Sequence, residues 1–252
     1  MTHQRQDVHS PVAAAAAARR ALKRLARPAG DFDARRYFRG AADLRFHNVG
    51  AAAMRQLARS IHATHADHWT VDDAVACANE LIADRHLEAK GVGIELLARY
   101  RRDFTPRLLV VWKRWLARGY AANWATTDAI CGYLIGPTLV AHPALAPQMS
   151  GWTGHASLWV RRAAAVSLIP SVRKGLATSL AFRIAAALHD DREDLIQKAV
   201  GWMLRETGKT EPVRLERYLR RHGPAIPRTT VRYAIERFAP ARRLALLRAS
   251  RA

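Results

Sequence analysis

Ile196-Gln197-Lys198-Ala199-Val200-Gly201-Trp202-Met203-Leu204-Arg205-Glu206 has apolar residues at 196, 199, 200 and 203, the spacing of one helix face. Lys198, Trp202 and Arg205 follow at intervals of four and three and form an adjacent stripe. The indole therefore stands at the border of an apolar and a basic face. That position suits stacking on a nucleobase or sugar, worth about 1–3 kcal/mol per base. Upstream, Leu158-Trp159-Val160-Arg161-Arg162 again sets a tryptophan three residues before an arginine. Further upstream, Asn123-Trp124-Ala125-Thr126-Thr127-Asp128 puts an indole and a carboxylate four residues apart, and so on one helix face. Three successive helical segments each present an aromatic plate beside a charge, and one of the charges is acidic.

The helical period extends through the rest of the chain, punctuated by Pro, Gly and cap residues, with no sustained two-residue alternation of β-branched residues. Residues 1 to 11 read as a flexible polar tail. Pro11 and the alanine run begin a basic N-terminal helix over 12–27, its outer face bearing Arg19, Arg20, Lys23, Arg24 and Arg27. Thr70-Val71-Asp72-Asp73 has the form of an N-cap with acids in the first turn. Thr105-Pro106 reads as a cap with proline at the first helical position, and Gly119 as the end of that helix. Further helices are expected at about 123–135, 137–146, 157–169, 175–189, 192–207, 211–222, 228–238 and 240–249.

Tryptophans 124, 159 and 202 are separated by 35 and 43 residues, bracketing the roughly 40-residue period of HEAT-like helix pairs. The expectation is all-α: HEAT-like repeats stacked as a curved solenoid, an armadillo-type superhelix, forming a single domain over 12–250. Its concave basic cleft would gather Trp124, Asp128, Trp159, Arg162, Trp202 and Arg205. Trp112 and Trp115, flanked by Leu108, Leu109 and Val111, are assigned to the core.

The formal net charge is +20, from 41 Lys+Arg against 21 Asp+Glu. This points to nucleic acid, and the spread of cations through the amphipathic segments argues against a juxtamembrane cluster. Only six of the cations are lysines. Arginine suits bidentate phosphate contacts, though arginine-rich codon usage explains the bias equally well. Cys77 and Cys131 lack framework or zinc spacing and read as small buried thiols of a reducing compartment. No apolar run approaches a membrane span, and no signal peptide is read before Arg19-Arg20, so cytoplasmic, nucleoid-associated residence is expected. His62, His65 and His68 lack an accompanying cysteine or glutamate motif; they are read as solvated, with no metal. P-loop, G-x-S-x-G and G-x-G-x-x-G motifs are absent, which removes those routes to nucleotide cofactors and acyl transfer.

The three motifs around Trp124, Trp159 and Trp202 resemble those of the AlkD-like DNA alkylation repair glycosylases, an all-helical family of HEAT-like repeats. The resemblance spans about 45–240 and is clear from about 85 onward. Ala125 stands where the family tends to have an acidic residue, and Phe46-His47-Asn48-Val49-Gly50 is a loose version of an N-terminal motif. The resemblance implies a monofunctional DNA glycosylase acting as a monomer, without cofactor, on duplex DNA containing alkylated bases. It places Asp128 as the catalytic group, Trp124 and Trp202 on the lesion and Arg162 beside it. Arg205, with Arg161 and Lys198, is expected on phosphates, and Trp159 is a further cleft candidate. It also implies recognition without flipping the damaged base into a pocket.

Glycoside hydrolysis usually needs two carboxyl groups, and only one is evident here. One suffices if the leaving base is an N3- or N7-alkylated purine, whose positive charge removes the need for a general acid. The one lysine of the matching motifs, Lys198, is expected on phosphate, so a Schiff-base lyase step is not expected. Two other readings compete: a non-catalytic helical-repeat module binding DNA or protein, and a self-resistance glycosylase for a bulky alkylating metabolite.

Overall fold

The computed structural model describes residues 9–30, 38 and 43–250. Most of the polar tail read at 1–11 lies outside them. Among the described residues the chain is helical, with no strand; a lone parallel bridge joins Arg45 and His86. The chain gathers into two compact units, Met1–Leu134 and Ile135–Ala252. No helix of the described residues is long and apolar enough to cross a membrane.

The first unit begins with α1 (Pro11–Leu25), capped by Ser10 and opened by Pro11 as expected, and ending two residues before Arg27. Ala14, Ala15, Ala18 and Leu22 form its buried face; alanines there let the helix lie close to α3 (Val71–Ile82). Arg19, expected on the outer face, is instead half-buried against Asp84, with Nε 2.8 Å from Oδ2. Between these helices runs α2 (Ala51–His65). Thr70 caps α3 with Asp73 in a reciprocal capping box, the backbone N–H of Thr70 donating to Asp73 Oδ2 at 2.9 Å.

Next come α4 (Leu87–Leu97), a 3-10 segment (Ala98–Asp103) and α5 (Leu108–Ala117). Helix α5 starts two residues after the expected Pro106, because Thr105 to Leu108 close a turn first, with Leu108 N–H donating to the Thr105 carbonyl at 3.1 Å. Gly119 ends it with φ +74°, a conformation that glycine adopts without a Cβ penalty. Trp112 and Trp115 are fully buried core residues, as assigned, and Trp115 Nε1 donates to Asn79 Oδ1 at 2.7 Å. Cys77 and Cys131 are buried, and burial pushes the Cys77 thiol up to about 12, which keeps it protonated and inert.

His65 departs from its expected solvated role. It is buried, its ring lies parallel to Trp69 with centroids 4.2 Å apart, and its Nδ1 is 3.0 Å from that of His9. The three-residue histidine spacing hid this because the partner, Trp69, lies one turn beyond the helix.

Helix α6 (Trp124–Ile130) runs into a π-helical stretch (Cys131–Ile135), within which the boundary between the two units falls. The second unit contains α7 (Gly136–Ala141), a 3-10 segment (Pro143–Trp152), α8 (Leu158–Val166), α9 (Ile169–Val172), α10 (Thr178–Ala187), α11 (Asp194–Thr207), α12 (Pro212–His222), α13 (Arg228–Ala234) and α14 (Pro240–Ala249). These match the expected helices to within a few residues at each end, except that 137–146 divides at His142 before Pro143, 228–238 stops at Ala234, and the short α9 was not expected as a separate helix.

At the centre of this unit α11 packs on α13 at close range. A Cβ on Gly201 would lie 2.5 Å from Tyr233 Cβ and 2.7 Å from the Thr230 carbonyl oxygen, and Thr230 Oγ1 donates to the Gln197 carbonyl at 3.0 Å. The missing side chain at 201 thus sets the height at which Trp202 sits. Glu206, buried at the end of α11, accepts from Arg173 Nε at 2.8 Å and Lys209 Nζ at 2.6 Å. Burial opposes its charge, but these donors outweigh that and hold the carboxyl below its ordinary value.

Candidate functional site

In the first unit the Asn123–Asp128 motif contains both buried and half-exposed side chains. Asn123 is the N-cap of α6: its Oδ1 accepts from Thr126 N–H at 2.8 Å and its Nδ2 donates to Thr126 Oγ1 at 2.9 Å. Thr127 Oγ1 donates to the Ala121 carbonyl at 2.8 Å. These three side chains are buried and hold the helix start in place. Trp124 and Asp128 are the half-exposed aromatic and acid of the same segment, one turn apart on the same face. Three residues after Asp128 the helix passes into the π-helical stretch Cys131–Ile135, and at the junction Cys131 N–H is shared between the carbonyls of Thr127 and Asp128. Such π-turns are often found at functional sites.

Trp124 does not stand alone. Phe38 stacks on it with centroids 5.6 Å apart and planes 20° from parallel, and Phe46 stacks on Phe38 at 5.6 Å. One indole face is therefore covered by protein, and the aromatic plate read from sequence stacks with Phe38 and, through it, Phe46. Phe46 lay in the loose N-terminal motif; Phe38 had no local signal, because its contact joins residues 86 positions apart.

Lys90 was also missed. It is buried, and its ammonium donates to the carbonyls of Ile82 at 2.7 Å and Tyr120 at 2.8 Å. It ties the end of α3 to the loop just before Asn123. Burial lowers its pKa to about 8, with Asp84 opposing the shift. Lys90 lines a cavity of about 350 Å³ with Asp43, Asp84, Arg85, Tyr120 and Asn123. The cavity reaches the cap of α6, but neither Trp124 nor Asp128 lines it.

In the second unit, α8 and α11 present the other candidates. Trp159 and Trp202 are both half-exposed. Arg161 has a different task from the phosphate contact read from its position: Nε pairs with Asp191 Oδ2 at 2.7 Å, and a terminal nitrogen donates to the carbonyls of His155 and Ala156, each at 3.0 Å. These bonds clamp the loop that enters α8. Arg162 is buried and donates to the Leu195 carbonyl, tying α8 to the first turn of α11.

Lys198 pairs with Asp194 at 2.7 Å on the surface. The Asp194 hydrogen bond raises its pKa against a small burial effect, so it stays charged. Arg205 pairs with Glu236 and lies 3.6 Å from Glu206 Oε1. The exposed Lys198–Asp194 pair is of a kind worth about 0–1 kcal/mol, whereas Arg205 is mostly buried beside the buried Glu206, with Glu236 as its more exposed partner. Among the described residues no group of three or more His, Cys, Asp or Glu side chains is arranged to hold a metal ion.

The model of the DNA alkylation repair enzyme family matches residues 18–238, and the chain belongs to that family. It is similar in fold to a solved structure described as a predicted DNA alkylation repair enzyme from Enterococcus faecalis, with a TM-score of 0.70 and 18% identity over 90% of this chain and 95% of that one. A second similar fold is smu.31 from Streptococcus mutans UA159, with a TM-score of 0.52 and 15% identity over 79% of this chain and 90% of that one. No curated protein matches the chain.

Proposed function

We propose that this member of the DNA alkylation repair enzyme family is a monofunctional DNA glycosylase that hydrolyses the N-glycosidic bond of cationic N3- or N7-alkylated purines in duplex DNA. The supporting observation is the division of labour in α6, where Asn123, Thr126 and Thr127 are buried in structural hydrogen bonds while Asp128 and Trp124 remain half-exposed one turn apart. The alkylated base carries a positive charge and leaves as a neutral molecule, taking the bonding electrons, so no acid need protonate it. Asp128 stabilises the positive charge that develops at the anomeric carbon and orients the water whose oxygen forms the new bond there; the proton lost from that water passes to solvent.

Trp124 holds the charged nucleotide through cation-π and C–H contacts, worth about 0.5–2 kcal/mol. In the second unit, Trp202 and Trp159 offer stacking surfaces. Lys198 and Arg205 exchange their carboxylate partners for phosphates, and Arg162 and Arg161 fix the segments that bear them. The enzyme works without a cofactor and as a monomer in the cytoplasm.

The test is release of 7-methylguanine or 3-methyladenine from methylated duplex DNA by the purified protein. Release by the wild type, with a loss of at least about 10²–10³-fold in single-turnover rate for Asp128→Asn and duplex affinity largely retained, is the expected result. Duplex binding with no release by the wild type would make the chain a non-catalytic DNA-binding module instead.

A further inference from the structure

The exposed cations of the first unit are gathered by backbone bonds into one patch. Arg20 and Arg24 are four residues apart on α1 with Lys23 beside them, and Arg27 follows two residues past the helix end. Arg27 N–H donates to the His47 carbonyl at 2.9 Å, and Asn48 Nδ2 donates back to the Arg27 carbonyl at 3.0 Å. Two residues earlier, Arg45 N–H donates to the Arg85 carbonyl at 2.9 Å and Leu87 N–H to the Arg45 carbonyl at 3.0 Å. The rings of His47 and His86 stack across this bridge, 3.9 Å apart and within 7° of parallel. The α1 end, residues 45–48 and residues 85–87 are thereby held as neighbours.

Two of the carboxylates close to this patch, Asp84 and Glu88, are already engaged, while a third, Asp43, lines a cavity with Arg85. Asp84 sits between Arg19 at 2.8 Å and His86 at 2.9 Å. Glu88 is buried and accepts from the backbone N–H groups of His47, at 3.0 and 3.1 Å, and Val49, at 3.2 Å, which fixes the segment in position. None of Arg20, Lys23, Arg24, Arg27, Arg45 or Arg85 forms an ion pair among the described residues, and all six are exposed. Six like charges gathered beside a single unengaged carboxylate, Asp43, among the described residues repel one another on balance. Their ordered placement suits a ligand of regularly spaced negative charge, and duplex DNA presents one phosphate charge per roughly 1.7 Å of axis.

We propose that the C-terminal end of α1, residues 45–48 and residues 85–87 form a phosphodiester-backbone site for duplex DNA, adding affinity without taking part in base release. The proposal rests on the reading of the chain as a DNA repair glycosylase, but its test is independent of that chemistry. Binding of a short undamaged duplex is measured across a salt series for the full chain and for the triple variant Arg24→Gln, Arg27→Gln, Arg85→Gln. The expected result is a fall of about 2–3 in the slope of log affinity against log salt, at about 0.9 for each phosphate no longer neutralised, and a roughly ten- to hundredfold loss of affinity at low salt.

A comparison triple, Arg59→Gln, Arg101→Gln, Arg102→Gln, removes the same charge from exposed positions of the same unit and should stay close to wild type. The charge-retaining triple Arg24→Lys, Arg27→Lys, Arg85→Lys should recover most of the affinity. Equal losses in both Gln triples, or none in the first, overturn the proposal, as does a loss confined to phosphatidylserine vesicles with DNA binding unchanged. A wild type that releases no base while the first triple still loses DNA affinity would refute the glycosylase reading and leave this site standing.

Discussion

Residues with the same sequence signature divide into those that act through the scaffold and those that face solvent. Arg161 and Lys198 were both read as phosphate contacts. Arg161 is bound to Asp191 and two carbonyls, whereas the Lys198 pair lies at the surface. Arg161→Gln should destabilise the protein by about 1–3 kcal/mol in denaturant titration with duplex affinity nearly unchanged. Lys198→Gln should leave stability within about 0.5 kcal/mol and lower the salt slope of DNA binding by about 0.9. The reverse pattern would exchange their roles. Phe38 covers one face of Trp124, and an aromatic pair of this kind contributes about 0.5–1.5 kcal/mol beyond burial. If the stack positions the indole on the nucleotide, Phe38→Ala lowers single-turnover base release about two- to tenfold, while an unchanged rate would leave Phe38 as packing only.

Elements are placed by caps and close contacts more than by intrinsic propensity. Helix α6 is short and begins on Asn123, whose two hydrogen bonds to Thr126 fix its first turn. Asn123→Ala should cost about 1 kcal/mol through loss of the cap. Helix α11 instead depends on the absence of a side chain. With Tyr233 Cβ and the Thr230 carbonyl in the way, Gly201→Ala must push α11 and α13 apart. Despite the better helix propensity of alanine, overpacking should destabilise the chain by about 1–3 kcal/mol in chemical denaturation. A neutral or stabilising result would show that the two helices separate freely.

At the scale of the whole molecule, the charge excess and buried imidazoles set the response to acid. Burial, with nearby positive charge, lowers the pKa values of His47, His62, His65 and His189 below the ordinary 6.5. Between 6.5 and those lowered values the unfolded chain binds more protons than the folded one. The stability associated with the neutral histidines is therefore complete above about pH 6.5 and is lost as pH falls through the folded-state values. Melting temperature should fall across that window, and His65→Gln should make the decline shallower. An unchanged slope in the variant would show that His65 does not titrate in the folded protein's transition.

The all-helical class, nearly every helix and the Trp124–Asp128 pair were legible in residue order, because helical periodicity, caps and i,i+4 spacing are local properties of the chain. The fully buried pair Trp112 and Trp115 was legible for the same reason, through the apolar neighbours at 108, 109 and 111. Tertiary structure alone decided that Phe38 covers the indole, that Lys90 ties α3 to the loop before Asn123, that Arg161 answers Asp191, and that His65 belongs to a buried stack with Trp69. Most of these join residues about thirty or more positions apart, and the last joins a helix to the turn beyond its end. Which side chain meets which depends on how helices sit against one another, and spacing along the chain does not encode that.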